Sequence, residues 1–183
     1  MLTLDETVAF FDDHFTRSAF RLETLDAYEV ESDGADVARY LAGEPEPDPS
    51  RKQPWLDELA AERRAGKIRS RVHVLRTPLC DYLRYECEWG YAPNAAAGES
   101  IRILDLSSVT RPPKLVDEDF WLLDDTHVLR MIYDDAGHFL GAELATDAAP
   151  YRTARAVSVA ASEDFVRWWA RHPQYWRANW TAA

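Results

Sequence analysis

Residues 77–102, TPLCDYLRYECEWGYAPNAAAGESIR, decide the fold of this chain. They join two strand-like runs, IRSRVHVL at 68–75 and IRILDL at 101–106. The segment reads in two ways. As a strand, Leu83, Tyr85, Cys87, Trp89 and Tyr91 alternate with Arg84, Glu86, Glu88 and Gly90, a period of two. As a helix, Thr77 is an N-cap, Pro78 suits the first position where no N–H is needed, and Asp81 lies near the positive end of the dipole. Gly98 then supplies a left-handed stop. The helix has both a start and a stop signal and completes a βαβ unit, so it is preferred, with Pro93 expected to break or kink it.

On a wheel of about 100° per residue, Asp81, Arg84 and Glu88 form one polar edge, with Arg84 able to pair with Asp81 and Glu88. Leu79, Tyr82, Leu83, Tyr85, Cys87 and Trp89 fill the rest, and Glu86 falls among them. An ionised carboxylate in apolar surroundings needs a partner, and Arg71, Arg102 or Arg21 are the expected cations. Arg71 and Arg102 come from the strands flanking the helix. The candidate binding residues are therefore Arg71, Tyr82, Arg84, Glu86 and Arg102. They form either a structural ion-pair cluster or a pocket for a small anion or polar ligand.

Outward from this unit, Thr3-Leu4-Asp5-Glu6 is a capping box before a helix over about residues 4–16. SAFRLET (18–24) alternates as a strand, with Ala19, Arg21 and Glu23 on one side and Phe20 and Leu22 on the other. Residues 32–41 read as a helix stopped at Gly43. GEPEPDPSRKQP (43–54) reads as an exposed internal loop, and a helix opens at Pro54 and runs to Ala65. On strand 68–75, Arg69, Arg71 and His73 share one side. Residues 120–123, 128–133 and 138–144 are strands separated by Asp124-Asp125-Thr126 and Asp134-Asp135-Ala136-Gly137. Turns this short require antiparallel pairing. From Pro150 the chain is helical, Ser162-Glu163-Asp164 caps residues 165–171, and the aromatic tail 173–183 carries Tyr175, Trp176 and Trp180. The expected fold is one α/β or α+β domain over 1–183. It has a mixed sheet, a βαβ unit over about 68–106, an antiparallel meander over about 119–144, and helices at both ends.

At 183 residues and 46% apolar composition, the chain can bury one core. Its net charge of −11 argues against direct nucleic acid binding, which needs clustered cations. No apolar run reaches the roughly 18 residues of a membrane span, and acids stand at the N-terminus where a signal peptide needs bases. A cytoplasmic protein is expected. Cys80 and Cys87 would lie ~10 Å apart along a helix, too far for a disulfide. Seven tryptophans imply either a core of large side chains or an aromatic docking surface. Phosphate-binding glycine motifs, a nucleophile elbow and metal-ligand histidine spacing are absent from the sequence. No cofactor or metal is expected.

Several longer motifs recur together: S-A-F-R-L-E (Ser18–Glu23), L-A-G-E-P (41–45), P-W (54–55) and P-L-x-D-Y-L-R-Y-E (78–86). To these are added N-x-x-A-G-E-x-I-R (94–102), D-F-W-L-x-D (119–124) and M-x-Y-D-x-x-G-x-F-L-G-A-E-L (131–144). In this combination the chain resembles an actinobacterial domain-of-unknown-function family over residues 15 to about 145. The resemblance implies an accessory or regulatory role beside helix-turn-helix regulators, with no established activity. The element order is also similar to phospholipase-D-like sensor domains on such regulators. The H-x-K-x-x-x-x-D signature of that activity is absent. The expected function is that of a non-enzymatic accessory protein acting through a protein partner, for which a helix-turn-helix regulator is the candidate. The alternative is a small-ligand sensor or small enzyme with a polar pocket around Glu86, Arg84 and Arg102.

Overall fold

The computed structural model describes residues 1–29 and 31–179. Helix α1 (Leu4–His14) opens on the expected capping box, in which Glu6 N–H donates to Thr3 Oγ1 and Thr3 N–H donates to Glu6 Oε2. Strand β1 (Ser18–Glu23) comes next, then α2 (Glu31–Leu41), α3 (Pro49–Arg64) and β2 (Ile68–Leu75). The segment between β2 and β3 (Ser100–Asp105) is helical: α4 (Asp81–Tyr85), a π-helical stretch (Glu86–Tyr91) and α5 (Ala92–Ala97) run end to end. Strands β4 (Asp119–Leu123), β5 (His127–Tyr133) and β6 (Phe139–Leu144) precede α6 (Ala149–Ala161), β7 (Glu163–Asp164) and α7 (Phe165–Ala170).

The strands form one mixed sheet in the order β6-β5-β4-β1-β2-β3-β7. β1, β2 and β3 are parallel neighbours, and β4, β5 and β6 pair antiparallel. This is the expected α+β fold with its βαβ unit and meander. Asp124 and Asp125 both take positive φ at the first turn, and Gly137 N–H donates to Asp134 O at the second. Among the described residues no helix is long and apolar enough to cross a membrane.

Four local expectations change. The organising helix starts at Asp81, with Cys80 at the cap position, and the Thr77–Pro78 peptide is cis. Thr77 is held elsewhere: its N–H donates to Ser107 Oγ, and that hydroxyl donates back to Thr77 O. Pro93 does not break the helix. Ala92 N–H reaches back five residues to Cys87 O, and the widened turn leaves Pro93 in the first turn of α5, where a missing N–H costs little. The proline-rich loop is shorter than 43–54, because Asp48 accepts from Ser50 N–H and caps α3, which contains Pro54. Helix α1 ends at His14, two residues before the expected end.

The π turn also rotates the downstream residues relative to an α-helical wheel. Arg84 keeps Asp81 at 3.7 Å. Glu88 instead accepts from the Tyr40 hydroxyl and the Arg177 backbone N–H, both at 2.9 Å. Arg177 stacks its guanidinium over Tyr40 and Trp89, so the tail docks on its own domain as far as Asn179. Trp180 lies outside the described residues.

Gly98 stops α5 at φ +125°. A Cβ there would lie 2.6 Å from Arg63 Cδ. Gly98→Ala is expected to cost about 1–3 kcal/mol through backbone strain, read as a lowered urea midpoint; an unchanged midpoint would refute the strain.

One sheet face is apolar. Phe20, Leu22, Val72, Leu104, Phe120 and Leu122 pack beneath Tyr151 and Ala154 of α6, each large side chain contributing about 1.5–3 kcal/mol. The other face is mixed. Phe15, Leu123 and Leu129 pack under α1 at one end, and Leu83, Cys87, Tyr91, Ile103 and Trp168 at the other. Between these clusters the strands carry charge.

Candidate functional site

Strand alternation sends Arg21 and Glu23 of β1, and Arg69, Arg71 and His73 of β2, to the mixed face. The parallel register sets Arg21 beside Arg71 and Glu23 beside His73. Water is largely excluded: Arg21 is 4% exposed and His73 is fully buried. Charged groups in such a place must be paired. Arg21 Nη2 donates to Asp119 Oδ2 at 2.7 Å and to the Tyr133 hydroxyl at 2.9 Å. Arg71 donates through Nε to Glu99 (2.7 Å) and through Nη1 to both oxygens of Glu23 (3.0 and 3.2 Å). The Tyr91 hydroxyl donates to Glu23 Oε2 and lies 2.6 Å from His73 Nδ1. Asn94 donates to Glu99. The network is continuous from β4 through β1 and β2 to α5.

These contacts set the ionisations. Burial would raise the Glu23 carboxyl, but Arg71, His73 and Arg21 overcome it and hold the pKa at about 2. Burial works against the Arg21 charge, while Tyr133, Asp119 and Glu23 raise it above the ordinary guanidinium range. Burial, with nearby acids, pushes the Tyr91 hydroxyl and the Cys87 thiol well up, so neither is an activated nucleophile.

Above the network lies a cavity of about 600 Å³ between the sheet, α3 and the α4–π segment. Arg21, Glu23 and Arg71 form part of its floor. Tyr82, Tyr85, Glu86, Gly90 and Asn94 come from the organising helix, and Arg51, Lys52 and Trp55 from α3. Lys52 Nζ donates to Asn94 Oδ1 at 2.9 Å. Gly90 lies against Glu86: a Cβ there would stand 2.8 Å from the Glu86 carboxyl carbon and 2.8 Å from one of its oxygens, so that flexible side chain would have to shift. The glycine makes room for that carboxylate one turn on. A hollow of about 620 Å³ is lined by Asp26, Asp117, Asp134 and Asp135. No cation lines it among the described residues, so the mixed chemistry sits in the first cavity.

Of the five sequence candidates, the structure brings Arg71, Tyr82 and Glu86 together around one cavity. Arg84 lies on another side of the helix, over the Tyr175 ring. Arg102 points to the opposite sheet face, because register sets it beside Val72 and sets Ile101 beside Arg71. It donates to the hydroxyl and carbonyl of Ser162. The pocket expected around Glu86, Arg84 and Arg102 is thus built with Arg71 and Arg21 in place of the last two. Glu86 is half-buried on the cavity wall rather than sealed among apolar groups, and its charge raises the Arg71 pKa. The hydrogen bonds of Arg71 and Arg21 go to the acids and the tyrosine named above.

Sequence reasoning missed Glu23, Asp119 and Glu99 as anchors, and Lys52 and Trp55 as wall residues. Nη1 of Arg21 is one of the buried side-chain nitrogens that have no hydrogen-bond partner among the described residues. Among those residues no group of three or more His, Cys, Asp or Glu could hold a metal ion.

A search of curated proteins finds no match to this chain. The model of a family described as a domain of unknown function, DUF6879, matches residues 5–170, and the chain belongs to that family.

Proposed function

We propose that this protein is a small-ligand sensor without catalytic activity, its ligand held in the cavity between the sheet and the organising helix. The observation that carries the reading is the cavity of about 600 Å³, in which charged residues (Arg21, Glu23, Arg71, Glu86) and aromatic ones (Tyr28, Tyr82, Tyr133, Trp55) line one space, the combination of apolar walls and a few placed polar groups that small-molecule sites use. Binding rather than turnover is supported by the saturation of Glu23 and Asp119 with donors and by the raised Cys87 and Tyr91. None of the large exposed apolar side chains among the described residues is aromatic, so the tryptophan content supports a packed core better than a docking surface. On this reading occupancy is relayed to a protein partner in the cytoplasm, and a helix-turn-helix regulator is the partner that the family resemblance suggests. Direct DNA binding is disfavoured by the charge of −11.

A thermal-shift screen of the whole chain against a chemically diverse metabolite set tests the proposal. At least one class is expected to raise the melting temperature. Glu86→Gln should weaken that ligand about tenfold or more, with the fold intact. A screen without any stabilising compound overturns the reading, and turnover of the bound compound overturns its non-enzymatic part.

A further inference from the structure

His73 lies fully buried on β2, in the network beneath the cavity, with both ring nitrogens engaged. Its Nε2 is 2.9 Å from the Leu25 carbonyl oxygen, and its Nδ1 is 2.6 Å from the Tyr91 hydroxyl. A carbonyl oxygen only accepts, so Nε2 carries a hydrogen. The Tyr91 hydroxyl has a single hydrogen, and burial with the nearby acids keeps it in place. Glu23 Oε2 stands 2.8 Å from the same hydroxyl. With its carboxyl held at about 2, Glu23 is ionised at neutral pH and has no hydrogen to give. The tyrosine hydrogen therefore goes to Glu23, and one hydrogen cannot serve two acceptors. The 2.6 Å contact on the other side needs a hydrogen of its own, and Nδ1 is its source.

The charges around the ring lead independently to the same place. Glu23, Glu99 and Asp119 share the network with Arg21 and Arg71, and none of these side chains is more than 11% exposed. Three acids with two arginines leave one negative charge uncompensated, which burial penalises. A positive His73, its Nδ1 3.8 Å from Glu23 Oε2, cancels it. Neighbouring charges do not alter the balance: Arg69 pairs with Glu62, Arg51 pairs with Asp36, and Lys52 and Glu86 on the cavity wall have opposite signs. Around the ring stand Glu23 from β1, Arg71 two residues along β2, Tyr91 from the π-helical stretch, and Tyr28 from the loop after β1, its ring centroid 6.2 Å away. The β3 residue beside His73 is Ile103, which carries no charge. Arg71 opposes a positive ring, but its own charge is met by both Glu23 and Glu99.

We infer that His73 is a buried imidazolium, the third cation of this network, and that the charge of the cavity floor is set by its Nδ1 proton. Loss of that proton turns the Tyr91 hydrogen from Glu23 to Nδ1. Glu23 then has one donor fewer, and the floor is one charge more negative. The Nε2 hydrogen stays on the Leu25 carbonyl in both states, so the loop after β1 remains tied to the sheet. The assignment holds whether or not the cavity takes a ligand.

Nitrogen NMR of the whole chain, labelled in its histidines, tests this at neutral pH. His73 is assigned through bonds in the parent protein, so the result does not depend on the folding of a variant. Both ring nitrogens are expected to carry hydrogens. A hydrogen on Nε2 alone overturns the assignment. His73→Gln adds a second readout, and its melting temperature verifies that it folds. The glutamine amide can still donate to the Leu25 carbonyl, but it has no charge. The Glu23 carboxyl, followed by carbon NMR, should then titrate about one pH unit or more higher than in the parent, as expected when an opposite charge within about 4–6 Å is removed. A Glu23 titration that does not move in the folded variant overturns His73 as the third cation.

Discussion

Asp119→Ala is expected to destabilise the protein by about 3–5 kcal/mol. The carboxylate is 3% exposed at the start of β4 and accepts four hydrogen bonds. Arg21 Nη2 (2.7 Å) and the Tyr28 hydroxyl (2.6 Å) donate to Oδ2, and the Thr24 backbone N–H (2.8 Å) and hydroxyl (2.7 Å) donate to Oδ1. These bonds use the full acceptor capacity of the group. Alanine would leave a guanidinium in the sheet interior with only the more distant Glu23, at 3.6 Å, as a counter-charge beside its bond to the Tyr133 hydroxyl, together with a buried tyrosine hydroxyl and a backbone N–H to re-satisfy. Asp119→Asn keeps the shape but turns a donor toward Arg21 or Thr24, so it should recover only part of the loss. The informative comparison is Arg21→Met combined with Asp119→Leu. Removing both charges avoids stranding either, and the double variant should be more stable than Asp119→Ala alone. Urea unfolding of the three proteins measures this. A loss below about 1 kcal/mol for Asp119→Ala would mean that water reaches the pair and that it does not anchor the cavity floor.

Asp119 also shows how much of the site was legible. The sequence placed the strand that begins there, and the alternation of Ala19, Arg21 and Glu23, and of Arg69, Arg71 and His73, placed the charged side chains on one face of each strand. The meaning of that alternation went unread. Parallel strands covered on both faces normally read as continuous apolar runs, so charges recurring every second residue on two neighbouring parallel strands signal a buried polar network. Pairing it with Glu99 and Asp119 required the strand order, since these residues lie 28 and 98 positions from their arginines. Arg102 failed for a related reason. It was grouped with Arg71 by adjacency of strands, but a parity difference of one residue in the register sends the two side chains to opposite faces.

The organising helix was legible as a helix because its stop signal at Gly98 and the next strand are local. Its interior was not, because the sequence carries no marker for a π turn comparable to a cap. Glu86 opens that turn, and Gly90 leaves space for its carboxylate. The widened turn both accommodates Pro93 and sets Glu88 toward the docked tail. Such turns are frequent at functional sites, and here residues of the turn, Glu86 and Gly90, line the cavity.

Glu23 should make the protein acid-sensitive. Its carboxyl has an ordinary value of 4.5 and is held at about 2 in the fold, where burial is outweighed first by Arg71, then by His73 and Arg21. A folded-state pKa below the unfolded one stabilises the fold at pH values above the unfolded pKa. The contribution is fully present at pH 7 and is lost as pH falls from about 4.5 through about 2. At 1.36 kcal/mol per unit the shift corresponds to about 3 kcal/mol. Glu23→Ala should lose this and more, about 3–5 kcal/mol in all at pH 7, because Arg71 and the Tyr91 hydroxyl lose their acceptor. Glu23→Gln retains one oxygen for Arg71 and should cost less. The sign is tested by the pH dependence of the difference, since other carboxylates titrate in both proteins and cancel. The gap in unfolding free energy between the parent chain and Glu23→Gln should be largest near pH 7 and shrink by more than half at pH 3. A gap that stays constant, or widens on acidification, would mean that Glu23 does not carry its charge in the fold. The charge pairing beneath the cavity would then have to be drawn without it.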